Sequence, residues 1–105
     1  MHKYLAFPQV IILVLTLVLG ACCSQEKANE AGKQLSSSSS KERNKAAMVL
    51  SGCGSKAVKF VPKLIELLYD PNIGVQSSAA FALRKIDTDE AREALDRAVE
   101  RNKKK

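Results

Sequence analysis

The sequence predicts an all-α chain: a short solenoid of two stacked helical hairpins over residues 39–105, behind an exported N-terminus. Three observations predict it. From Ser39 onward, apolar residues recur at three- and four-residue spacing rather than alternating. Cap residues and Gly or Pro breaks divide that stretch into four segments. Finally, Ala46-Ala47-Met48-Val49-Leu50 recurs as Ala79-Ala80-Phe81-Ala82-Leu83 at one constant offset, which is how stacked repeats present themselves in a sequence.

The N-terminus comes first. Met1-His2-Lys3 is a short basic start, and an apolar run extends from Val10 to Leu19. That run is too short to span a bilayer, which takes about 20 residues, and it has the shape of a signal-peptide core. It ends in Leu19-Gly20-Ala21-Cys22. This ending resembles the bacterial lipobox, an aliphatic residue and two small ones before an obligatory Cys. The resemblance implies that residues 1–21 are a lipoprotein signal peptide and that Cys22 is the lipidated first residue of the mature chain. The membrane is then a partner through lipid on Cys22, because two or more acyl chains attach a protein stably without a spanning helix. It also places the protein in a bacterial cell envelope. The absence of Asp after Cys22 leans toward the outer membrane.

Cleavage there leaves residues 22–105. The loss of Lys3 takes the basic count from 17 to 16, against 11 acidic residues, a net charge of +5. Four of those positives are Arg101, Lys103, Lys104 and Lys105, so the basic balance belongs to the tail and not to a face. Export and the lack of a basic face with aromatics argue against nucleic acid. Residues 22–38 are polar, with Leu35 the one sizeable apolar residue, and run into Ser36–Ser40. Such composition predicts a flexible Ser-rich tether between lipid and domain.

The first helix of the domain starts near Ser39, with Ser39-x-x-Glu42 as a capping box and Glu42, Ala46, Val49, Leu50 and Cys53 on one face. Gly52 and Gly54 end it. The second runs from about Ser55 to Tyr69, with Val58, Val61, Leu64, Ile65 and Leu68 inward and Pro62 bending it or shifting its start. After Asp70-Pro71, Asn72 caps the third, whose core stripe is Val75, Ala79, Ala82, Leu83 and Ile86. Asp87-x-x-Glu90 caps the fourth, with Ala91, Ala94, Leu95, Ala98 and Val99 inward.

The stretch Val61-Pro62-Lys63-Leu64-Ile65-Glu66-Leu67-Leu68, Asp70-Pro71, then Val75, Ala79 and Ala82-Leu83 resembles one HEAT-like repeat of the short type also found in phycobilisome lyases. The likeness covers roughly residues 41–100 as half a repeat, a whole one and a half. It implies helix pairs that stack and bind an unidentified protein partner. One departure stands out. Gln76 occupies the place of the family's usual Arg, so the Asp–Arg contact between repeats is expected to be missing. The alternative implied by the same resemblance is a lyase-like or chromophore-handling accessory protein.

No nucleophile–base–orienter set can be assembled, because the one His, His2, leaves with the signal. The reading is therefore of a non-enzyme, with no cofactor, metal or small-molecule substrate. Cys53 matches Ile86 across the repeat and reads first as a small core residue. The sharper alternative is a disulfide with Cys23 in an oxidising compartment. Met48 and Phe81 hold equivalent positions away from the core stripe. They are the candidate partner-binding residues, with side-to-side helix packing as the other reading.

Overall fold

A computed structural model describes residues 23–105. The signal peptide 1–21 and the lipidation position Cys22 lie outside the described residues. Five α-helices and one 3-10 helix follow in order: α1 (Gln25–Gln34), α2 (Ser40–Ser51), the 3-10 helix Gly54–Phe60, α3 (Val61–Leu67), α4 (Ile73–Ile86) and α5 (Asp89–Lys103). There is no strand among the described residues.

Helix α1 corrects the expectation of a flexible tether over residues 22–38. Ser24 caps it, its side chain accepting from the Lys27 N–H at 3.1 Å. Ala28, Ala31 and Leu35 are buried against the rest of the chain. The described residues therefore open with a whole hairpin, α1–α2, where the sequence suggested half of one. The physical reason is modest side-chain size. Two alanines and one leucine bury a stripe without raising the local hydrophobicity above that of the surrounding Ser, Lys and Glu.

The same geometry recurs three times. The buried positions are 28, 31 and 35 on α1 and its C-cap, and 61, 64 and 68 on α3 and its C-cap. On α5, Ala91 and Ala94 are buried and Ala98 is half-buried in the same spacing. This pattern of i, i+3, i+7 is one helical face. It corrects the register of α5, since Val99, expected inward, lies one step round the helix and is exposed. Ser39 and Asn72, at matching positions of the two repeats, cap α2 and α4 through the N–H groups of Glu42 and Val75.

The predicted second helix is divided. Pro62 lacks an N–H and crowds the preceding turn, so the α-helix begins at Val61 with Pro62 in its first turn. The residues before it wind as a 3-10 helix. That tighter winding puts Ala57 inward and leaves Val58, expected in the core, exposed. Glu42 likewise leaves the predicted core face; it is exposed and accepts a hydrogen bond from the Ser37 hydroxyl. The stripe of α4 is as read: Val75, Ala79, Ala82 and Leu83 are fully buried, with Ile86 packed at its edge. At the α4–α5 corner, Asp87 adopts the left-handed conformation (φ 57°) and its N–H closes α4 on the Leu83 carbonyl at 3.0 Å. With Asp87 so used, Thr88 and not Asp87 caps α5, accepting from the Ala91 N–H at 3.1 Å.

Candidate partner-binding surface

Helices α2 and α4 make the most extensive helix–helix contact, and the residues that bring them together are small. Ala47 is fully buried, and Ser78 on α4 donates its hydroxyl hydrogen bond to the Asn44 side chain on α2. Small side chains let the two backbones approach closely, so α4 lies along a face of α2 built from Arg43, Asn44, Ala47 and Leu50.

Arg43 locks that arrangement. Its Nε and Nη2 donate to the two carboxylate oxygens of Asp70 at 2.8 and 3.0 Å, and its Nη1 donates to the Ser37 carbonyl at 2.9 Å. Asp70 is buried and also accepts from the Asn72 N–H at 2.9 Å. The Arg43 hydrogen bonds hold the Asp70 carboxyl below its ordinary value, against the opposing effect of burial. The expectation that the inter-repeat Asp–Arg contact is missing is thus corrected. Gln76 does stand in the Arg position of its own repeat, and its amide donates to the Asp70 carbonyl at 2.6 Å. The guanidinium comes instead from the equivalent position of the preceding repeat.

The α2 face that receives α4 is repeated on α4 itself. The repetition is partial: moved forward by one repeat, Arg43, Asn44 and Ala47 become Gln76, Ser77 and Ala80, while Leu50 becomes the buried Leu83. This second face has no helix lying on it among the described residues. Gln76, Ser77, Ala80 and Arg84 form one wall of an open groove of about 190 Å³, with Leu95, Ala98, Val99 and Asn102 of α5 as the other and Leu68 among its lining residues. Its apolar lining is Leu68, Ala80, Leu95, Ala98 and Val99. Arg84 is the cation in its wall, and Arg101 and Lys105 line a neighbouring hollow that shares Leu68, Gln76, Ala98 and Asn102 with it. The Arg101 guanidinium lies 4.5 Å from the centre of the Tyr69 ring. Sequence reasoning missed the groove; the offset that paired Ala47 with Ala80 was the signal that could have found it.

Met48 and Phe81 are both exposed, at 47% and 41%. They sit at equivalent positions on α2 and α4, and Phe81 is next in sequence to Ala80 on the groove wall. Cys53 is bonded to Cys23, 30 residues earlier. The described residues therefore contain no free thiol; Cys53 is buried in the core as first read and also makes the disulfide of the sharper alternative. The described residues also hold no cluster of His, Cys, Asp and Glu able to bind a metal, and none of their helices is long and apolar enough to cross a membrane.

The family model for HEAT repeats matches residues 28–105, beginning inside α1. No curated protein and no solved structure matches the chain.

Proposed function

Since the chain belongs to the HEAT repeat family, we propose that it is a lipid-anchored protein–protein interaction module of a bacterial cell envelope, and that it receives an amphipathic helix of a partner protein in the α4–α5 groove. The observation that carries this reading is the recurrence, on α4, of the α2 face that already binds a helix. A groove that mixes apolar side chains with Gln76, Ser77 and Asn102, and has Arg84 in its wall, suits a helix with a small apolar stripe and polar or acidic flanks. Phe81 and Met48 would extend the contact along the outer side of α4 and α2. The lipid anchor is supported by Leu19-Gly20-Ala21-Cys22 closing an apolar run, and the Cys23–Cys53 disulfide suits an exported, oxidising location.

The test compares variants of the intact lipoprotein in envelope pull-downs. Cys22→Ser should abolish palmitate labelling and release the protein from membranes; continued labelling sinks the anchor. Phe81→Ser and Ser77→Arg should leave the melting temperature nearly unchanged. The first should weaken partner binding by roughly 30-fold if Phe81 is an anchoring contact of about 2 kcal/mol, and the second should block the groove. A partner recovered equally by all variants places the contact elsewhere.

A further inference from the structure

The disulfide changes what a lipid on Cys22 would do. Cys22 is peptide-bonded to Cys23, and Cys23 is cross-linked to Cys53 with 5.1 Å between their Cα atoms. Adding the roughly 3.8 Å between neighbouring Cα atoms, the acylated residue stays within about 9 Å of the Cys53 Cα. Two further bonds hold the same end: the Lys56 ammonium donates to the Cys23 carbonyl at 2.8 Å, and the Gln25 amide reaches the Lys56 carbonyl at 3.5 Å. A chain anchored there has no tether on which to float.

We propose that the cross-linked end of the solenoid is a membrane-facing surface, with the 3-10 helix Gly54–Phe60 lying against anionic lipid headgroups. This rests on the acylation of Cys22. The surface has the composition for it. From Ser51 to Lys63 the chain carries Lys56, Lys59 and Lys63 and no acidic residue, and Lys63 is paired with Glu66, so Lys56 and Lys59 are the cations this surface offers. On the 3-10 helix itself, Lys56, Val58 and Lys59 are exposed, and the Lys59 ammonium lies 5.2 Å from the centre of the Phe60 ring. An exposed aliphatic residue between two lysines suits the headgroup level, where cations meet phosphate and the aliphatic residue meets the acyl boundary. Glu26, in the first turn of α1, is the acidic residue nearest in sequence to the Cys23 end. The corresponding corner of the next repeat is acidic on balance instead, with Asp87, Asp89, Glu90 and Glu93 exposed and one cation, Arg92, paired with Asp87 and Asp89. An anionic surface would repel that corner, confining contact to the first repeat and leaving the α4–α5 groove accessible.

The chain has no Trp, so one introduced Trp is a unique reporter. Val58→Trp reports on the proposed surface. Tyr69→Trp reports from roughly 18 Å further along the 3-10 and α-helix. Each is made in the lipidated protein and reconstituted into phosphatidylglycerol–phosphatidylcholine vesicles containing brominated lipid, after a melt shows the fold intact. Flotation with the vesicles is measured first, and failure to float overturns the acylation of Cys22. Among floating proteins, the Trp at 58 should be quenched several-fold more than the Trp at 69. The difference should collapse when Cys23→Ser and Cys53→Ser are added, and shrink with Lys56→Glu plus Lys59→Glu or in pure phosphatidylcholine. Equal quenching at 58 and 69 in the floating parent overturns the membrane-facing surface. Quenching at 58 that ignores both lipid charge and the lysines overturns the headgroup contact.

Discussion

The two hairpins of this chain place side chains at the same register but fill it differently. In the central repeat, α3 and its C-cap bury Val61, Leu64 and Leu68; in the first repeat, α1 and its C-cap bury Ala28, Ala31 and Leu35. The first face is poorer by about five carbon atoms, worth roughly 4 kcal/mol at about 0.8 kcal/mol per buried methylene. The Cys23–Cys53 cross-link, closing a separation of 30 residues, offsets this by roughly 3–4 kcal/mol through the entropy it removes from the unfolded chain. The small side chains bring one advantage. Gly32 lies directly against the Phe60 ring, where any Cβ would collide with it, so α1 packs closer to the 3-10 helix than a larger residue would allow. The comparison teaches that a repeat can be held by covalent closure and close approach where apolar volume is lacking.

The largest expected effect tests the central repeat. Leu83→Ala removes a fully buried side chain from the α4 stripe and should cost about 2–5 kcal/mol, a large part of what so small a domain has. Circular dichroism melts of the soluble mature domain measure it. Leu50→Ala, its counterpart on α2, is also fully buried and should cost a similar amount. A much smaller loss at Leu50 would show that the first repeat does not share the central core.

Next comes the cross-link. Cys23→Ala with Cys53→Ala should lower stability by roughly 3–4 kcal/mol. Hydrogen exchange should show the loss concentrated in residues 25–34, with α3 and α4 keeping most of their protection. Uniform loss across both hairpins would mean that the two repeats unfold as one unit.

The smallest effect joins the repeats. Asp70→Asn breaks the charge pair with Arg43 and should lower the melting temperature by roughly 5–10 °C at neutral pH. The sign of its pH dependence follows from the depressed Asp70 carboxyl. The stabilisation is present above the ordinary carboxylate value of about 4 and is lost as pH falls through the lower folded value. The gap between parent and variant should therefore narrow as pH drops below about 4. A gap that stays constant from neutral pH into strong acid would assign the effect to packing and not to charge.

How much of this could be read in the sequence depended on side-chain size. Helix α4 was legible because Val75, Leu83 and Ile86 give a strong helical period. Helix α1 was hidden because Ala28 and Ala31 barely register among Ser, Glu and Lys. Ser36–Ser40 also misled: it looks like linker, yet it is a turn followed by a cap and a first helical residue. The offset that linked α2 to α4 also pairs 28, 31 and 35 with 61, 64 and 68, but the residue types differ too much for the match to show. Arg43 was misjudged for another reason. The inter-repeat contact was judged from Gln76 alone, whereas the Arg that bonds Asp70 stands at the same position of the repeat before. The candidate residues Met48 and Phe81 were readable as positions off the core stripe. Of the groove beside them only the α4 wall was readable, through the offset that pairs Ala47 with Ala80; the α5 wall depends on how α5 crosses α4.

The closed N-terminal end has a consequence for how the molecule breathes. A repeat array behaves as a one-dimensional chain in which each unit is stabilised by its neighbours, and such chains melt inward from their free boundaries. Here one boundary is pinned: with Cys23 joined to Cys53, α1 cannot leave without dragging the start of the 3-10 helix. At the opposite end of the described residues, α5 buries only Ala91 and Ala94 fully. Opening should thus be directional, starting at α5 and travelling toward the cross-link, so that α4 and its groove widen before any other face is disturbed.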